Sequence, residues 1–133
     1  MTQRNVYAMN LVVDKLANGA KLSNALKCVY TTRNVCIPYK EEYGDVSLID
    51  LGLSNRSTNS LLRARMRKLG DVIDFCGTNK ITSISGVGKD SGTEIFENIL
   101  DYCWDRMSSN ERESFLIDTI ERNSNSIREE LFN

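Results

Sequence analysis

Residues 81–95 read ITSISGVGKDSGTEI, and the meaning of this stretch decides the fold. Ile81 and Ile84 predict a short helix before the two glycines, and Ile95 and Ile99 a longer helix after them. Glycine adopts positive φ at little cost, so Gly86 lets the backbone reverse within a few residues. Val87 is placed to plug the gap between the two helices. Gly88 opens the second helix without a side chain, where backbone N–H groups and the helix dipole favour an anion. Ile84-x-Gly86-Val87-Gly88 therefore has the spacing of a helix-hairpin-helix, with Lys89 and Ser91 in reach of a phosphate. A plain turn between packed helices needs the same glycines, so they do not discriminate, but the isoleucines at these offsets favour the helix-hairpin-helix.

The remaining sequence is helical in pattern. Val6, Met9, Val13 and Leu16 fall at helical spacing over residues 5–18, with Gly19 as the stop. Ser23 is expected to cap a second short helix carrying Ala25, Leu26 and Val29. A packed helical hairpin is favoured here over a helix-turn-helix, because Asn24 and Lys27 are too few polar contacts for base readout. Thr31, Thr32, Val35, Ile37 and Pro38 favour an extended connection over residues 31–45. Beyond it, DVSLIDLGLS suggests one helical turn. Ser54 or Asn55 is expected to cap a helix running through Leu61, Leu62 and Ala64 to about Lys68. Gly70 reads as a stop before a helix with Val72, Ile73 and Phe75, and Thr78 as the cap of NKITSI. Ser108 with Glu111, and Ser126 with Glu129, have capping-box spacing. Phe115, Leu116, Ile117 and Ile120 form an apolar patch, expected to dock on the protein's own core.

Composition limits the chemistry. The sequence has 133 residues, 41% hydrophobic and 26% charged, as expected of a globular protein with one modest core. The N-terminus has no signal-peptide shape and no apolar run spans a bilayer, so the expected location is cytoplasmic. Cys28, Cys36, Cys76 and Cys103 form no CxxC pair and read as small hydrophobes in a reducing compartment rather than a zinc site. There is no histidine, which removes the commonest general base and the partner of most nucleophiles. No carboxylate cluster has metal-ligand spacing. An enzyme is not expected, and neither a cofactor nor a metal.

Net charge is −1, but its distribution is uneven. RSTNSLLRARMRK, residues 56–68, carries Arg56, Arg63, Arg65, Arg67 and Lys68 and no acid. Residues 97–133 hold nine acids against four arginines. A basic middle followed by an acidic tail makes a polarised molecule.

These motifs together resemble the C-terminal domain of the bacterial RNA polymerase alpha subunit. The resemblance covers residues from about 47 to 104, through LSNRSTNSLLRARMRKLGDVID and ITSISGVGKDSGTEIFENIL. It rests on the Leu53–Arg56–Asn59 spacing, the Gly70-Asp71 pair and the run Gly88-Lys89…Ser91…Glu94. It implies an all-α fold, a compact bundle of short helices around a helix-hairpin-helix, here with an N-terminal helical hairpin and a C-terminal helical extension. Three segments are expected: residues 1–45 as helical extension and connector, 46–107 as the alpha-like domain, and 108–133 as an acidic helical tail. The flanking segments have no counterpart in that domain, so a stand-alone bacterial relative is expected rather than a polymerase subunit.

By position, the resemblance implies that Arg56 reaches into the minor groove of AT-rich double-stranded DNA. Asn59 and Ser60 are implied as neighbouring contacts, Gly88, Lys89 and Ser91 as phosphate contacts, and Glu94 as the group that orients Arg56 through an ion pair. Asp90 departs from the pattern, standing where the family often has a second lysine. It replaces attraction to phosphate with repulsion. The function implied is a DNA-binding transcription accessory. The alternative is an interaction module that docks on RNA polymerase, sigma factor or a regulator without binding DNA.

Overall fold

Thr2 begins the first helix by accepting a hydrogen bond from Asn5 N–H at 3.1 Å, and the backbone runs helical from there. The computed structural model describes residues 1–30 and 37–132. The fold is all-α. Its helices are α1 (Gln3–Ala17), α2 (Leu22–Lys27), α3 (Asn55–Arg63), α4 (Leu69–Cys76), α5 (Lys89–Asp105) and α6 (Ser109–Arg122). Short 3-10 turns at 41–43, 48–51, 81–83, 124–126 and 129–132 connect or end them. The extended reading of Thr31, Thr32 and Val35, and the burial of Cys36, lie outside the described residues.

The protein divides into two compact units, one of residues 1–38 with 104–133 and one of residues 39–103. In the first unit, α1 packs on α2 and α6. The segments before and after the central unit are joined there by backbone pairing. Tyr30 and Ile127 form an antiparallel bridge, and Arg128 N–H donates to the Val29 carbonyl at 2.7 Å. Phe115, Leu116 and Ile120 are buried, as an apolar patch docked on its own unit must be. Ser108 and Glu111 form the expected reciprocal cap of α6.

Several expectations are corrected. The buried face of α1 is Asn5, Ala8 and Val12, whereas Val6 and Val13 are 43% and 44% exposed. Ala8 permits close helix approach, and the buried Asn5 amide donates to Ser124 Oγ at 2.9 Å, while its Oδ1 is left without a partner among the described residues. Ser23 lies inside α2 and is buried; the cap position is Lys21. Lys80, not Thr78, precedes the turn at 81–83. Ser126 ends the 124–126 turn and does not stand at the start of the 129–132 turn, two residues intervening. Gly70 stops no helix: it is the second residue of α4, with its N–H donating to the Gly44 carbonyl at 3.0 Å. A Cβ there would press on that carbonyl at 3.0 Å, so close backbone approach is what glycine supplies.

α3 ends five residues earlier than Lys68. Ala64 is its C-cap, Arg65 turns to φ 65°, and Met66 follows. Met66 N–H donates to Leu61 carbonyl at 3.0 Å and Arg65 N–H to Leu62 carbonyl at 2.9 Å. This pair of bonds is the Schellman motif, closed by contact-ready apolar residues, since Met66 and Leu61 are both buried. The same motif ends α1, with Gly19 at φ 90° in the left-handed position. Arginine occupies that position after α3.

Candidate nucleic-acid interface

The interface residues lie on α3 and on the turn into α5, both in the central unit. Ser54 caps α3 by accepting from Ser57 N–H at 3.2 Å. Arg56, Asn59, Ser60 and Arg63 follow at i, i+3, i+4 and i+7, so they form one stripe along the helix. Arg56, Asn59 and Arg63 are exposed, while Ser60 is buried at 1% exposure.

The hairpin turn lies against this stripe. Val87 N–H donates to the Ile84 carbonyl at 3.0 Å, closing a four-residue turn with Gly86 at φ 87°. Positive φ at the third position is what a type II turn demands. Ile84 and Val87 are both buried, so the turn is pinned by its two apolar ends. A Cβ on Gly86 would stand 2.8 Å from Ser60 Oγ and 3.2 Å from Arg63 Nη2. The turn backbone therefore rests directly on α3 where Ser60 and Arg63 emerge. Ser60 is accordingly an internal contact: its Oγ accepts from Arg63 Nη2 at 3.3 Å and faces the turn rather than solvent.

Gly88 is the cap residue of α5, since Gly92 N–H donates to its carbonyl at 2.9 Å. It has no side-chain oxygen with which to cap the first-turn N–H groups. Its φ is unexceptional, and a Cβ on it would meet nothing within 4 Å. Neither a clash nor a positive φ thus demands glycine at 88, unlike 86, although glycine is tolerated well at a helix cap. Lys89 and Asp90 are exposed in the first turn of α5 and Ser91 is half-buried. Asp90 has a structural benefit there, because an acid stabilises a helix N-terminus. Gly92 is a glycine that sequence reasoning passes over. Its absent Cβ would sit 3.1 Å from Ile81 Cγ2, so it allows α5 to pack tightly on the 81–83 turn.

Glu94 does not pair with Arg56; among the described residues Arg56 makes no ion pair. Glu94 reaches the start of α3 instead, where its Oε1 accepts from Ser54 Oγ at 2.9 Å and Ser54 N–H at 3.3 Å. The Ser57 hydroxyl, then Ser54, hold its carboxyl below the ordinary carboxylate range. Ser57 Oγ is buried and has no partner at full hydrogen-bond geometry, so it acts as a nearby dipole while Ser54 makes the direct bonds. The α3 N-terminus is therefore already supplied with an anion from within the unit. Arg56 and Asn59 are left to act through their side chains.

Arg63 is the residue that sequence reasoning undervalues, grouping it with Arg65, Arg67 and Lys68 as added charge. Its separation of seven from Arg56 is the available signal. Arg65, Arg67 and Lys68 lie beyond the end of α3. Lys68 pairs with Asp45 at 3.3 Å, and Asp71 Oδ2 accepts from Arg67 N–H at 2.9 Å and Lys68 N–H at 3.1 Å. Among the described residues no cluster of His, Cys, Asp or Glu has the geometry to hold a metal ion. No helix there is long and apolar enough to cross a membrane.

Residues 38–101 match the family described as the C-terminal domain of the bacterial RNA polymerase alpha subunit. The central unit is an alpha C-terminal-domain-like domain. The matched residues contain α3, α4, the hairpin turn and most of α5, hence the whole stripe and the Glu94–Ser54 contact. Comparison with curated proteins and with solved structures gives no match.

Proposed function

We propose that this alpha C-terminal-domain-like protein is a non-catalytic transcription accessory that binds double-stranded DNA through α3 and the hairpin turn. The observation that carries the reading is the seating of Gly86 on Ser60 and Arg63. It sets the turn, with the uncapped start of α5 just beyond it, against the stripe that presents Arg56 and Asn59. Arg56 enters the minor groove, where a narrow AT-rich sequence concentrates negative potential. Asn59, one turn on, bonds within the groove or to sugar and phosphate. Gly88 offers backbone N–H, and Lys89 and Ser91 add contacts to the backbone. Ser60 holds the turn in place, and Glu94 positions Arg56 indirectly by fixing the cap of its helix.

Fluorescence anisotropy on AT-rich and GC-rich duplexes at two salt concentrations tests this. Salt-sensitive binding that prefers AT and falls about tenfold or more in Arg56→Ala is expected. Equal affinity of Arg56→Ala and the native protein, with native helical circular dichroism, refutes the assignment.

Two observations favour a second reading, docking on RNA polymerase, sigma factor or a regulator without DNA. Asp90 is exposed beside the turn, and Ile49 is 76% exposed at the 48–51 turn of the same unit. Capture of purified polymerase by the native protein but not by Ile49→Asp, with no DNA binding at low salt, supports that alternative.

A further inference from the structure

We propose that Arg63 is the cation that completes the phosphate site of the hairpin turn, in place of the charge that Asp90 withholds. The inference rests on the DNA-binding reading above and adds a residue to it. Three observations converge on Arg63. It shares the α3 stripe with Arg56 and Asn59, two turns on. Its Nη2 lies 3.2 Å from the point where a Gly86 Cβ would be, so its guanidinium borders the backbone of the turn. The same nitrogen donates to Ser60 Oγ at 3.3 Å, and Ser60 is buried and fixed.

An arginine held by one bond to a neutral hydroxyl keeps its full charge and most of its five N–H donors for another acceptor. Among the described residues it makes no ion pair with a carboxylate. Its neighbours are the very elements that the DNA reading already places against the backbone. Geometry also fits the groove. Seven residues of helix separate Arg56 and Arg63 by about 10 Å along the axis. The minor groove is about 6 Å wide. With Arg56 inside the groove, Arg63 stands over a bordering phosphate ridge and makes a charge-assisted contact that carries no sequence information.

The bond to Ser60 serves to aim the guanidinium, and the left-handed Gly86 leaves room for it. Asp90 can then remain to stabilise the start of α5, because the cation comes from α3.

The test measures the salt dependence of binding to one AT-rich duplex for the native protein and for Arg63→Ala, Arg63→Gln, Arg63→Lys and Arg56→Ala. Circular dichroism melting on each variant reports folding. Arg63→Ala and Arg63→Gln are expected to lower the slope of log K against log salt by about one while keeping the preference for AT over GC. Arg63→Lys keeps the slope. A native slope in both Arg63→Ala and Arg63→Gln, alongside lost binding in Arg56→Ala, overturns the Arg63 assignment and leaves the DNA reading standing. Unchanged binding in Arg56→Ala, or no DNA binding by the native protein, overturns the DNA reading and the Arg63 assignment with it.

Discussion

Ser54 donates its hydroxyl to Glu94 Oε1 at 2.9 Å, across 40 residues of sequence. One contact thus ties α5 to the cap of α3 and places the carboxylate at the positive end of that helix dipole. Ser54→Ala loses both the cap to Ser57 and the bond to Glu94, and is expected to cost about 1–2 kcal/mol in denaturant unfolding. Glu94→Gln tests the charge alone. The carboxyl is held below its ordinary value, near 4.5, so its stabilising contribution is full above that value and is lost as pH falls through the folded one. The stability gap between the native protein and Glu94→Gln should therefore shrink as pH drops from about 7 to about 3. Other carboxylates, Asp71 among them, titrate in both proteins and cancel in the difference. A gap independent of pH means the charge contributes nothing.

The two glycines of the hairpin separate folding from binding. Gly86→Ala forces a Cβ into left-handed φ, which costs about 1–2 kcal/mol, and directs it at Ser60 Oγ. A marked drop in the unfolding midpoint is expected. Gly88→Ala meets open space and no positive φ, so only the weaker capping of alanine acts, and a loss of about 0.5–1 kcal/mol is expected, well below that of Gly86→Ala. On the DNA reading its methyl group obstructs a phosphate at the start of α5, and affinity falls several-fold with the fold intact. Equal destabilisation by both substitutions contradicts the geometry of the turn. Equal affinity of Gly88→Ala and the native protein removes Gly88 from the interface.

What is legible in the sequence follows from how local each signal is. The Ser108–Glu111 cap and the Gly86 turn are short-range devices whose geometry is specified by adjacent residues, and both stand where the sequence puts them. The face of α1 escapes the pattern because hydrophobicity favours Val6 and Val13, whereas close packing favours Ala8 and an Asn5 whose NH2 bonds to Ser124. The end of α3 escapes it because no glycine marks it. Sequence gives no warning that Arg65 will take the left-handed position. In the candidate interface, Arg56 and Asn59 reach the surface as expected, whereas Ser60 is buried and Glu94 bonds to Ser54. Those two depend on contacts between distant segments, on which spacing is silent.

Arg65 offers a test of strain. Arginine in the left-handed region costs about 1–2 kcal/mol relative to an unstrained backbone, and glycine there is strained far less but has more freedom to lose on folding. Arg65→Gly is expected to raise stability by about 0.5–1 kcal/mol, read from the urea midpoint at constant m-value. The Schellman bonds from Arg65 and Met66 are backbone bonds and survive the change. A loss of stability means that the Arg65 side chain makes a compensating contribution at the helix C-terminus, where a cation is favoured.

Two isoleucines on α6 rank the packing of the first unit. The sequence groups Ile117 and Ile120 in one apolar patch, yet Ile120 is fully buried and Ile117 only half-buried. Truncating a fully buried isoleucine removes its transfer free energy and leaves a cavity, for about 2–5 kcal/mol in all. A half-buried one lets water into the space, so the cavity contribution largely vanishes. The single tryptophan, Trp104, reports on the same unit: its ring packs on Phe115 of α6 at 6.1 Å between centroids, with Arg112 lying over its face at 4.8 Å. Followed by Trp104 fluorescence in urea, Ile120→Ala should shift the midpoint far more than Ile117→Ala. Equal shifts would mean that α6 buries a broader face than Phe115, Leu116 and Ile120, and that its docking rests on the whole patch that the sequence suggests.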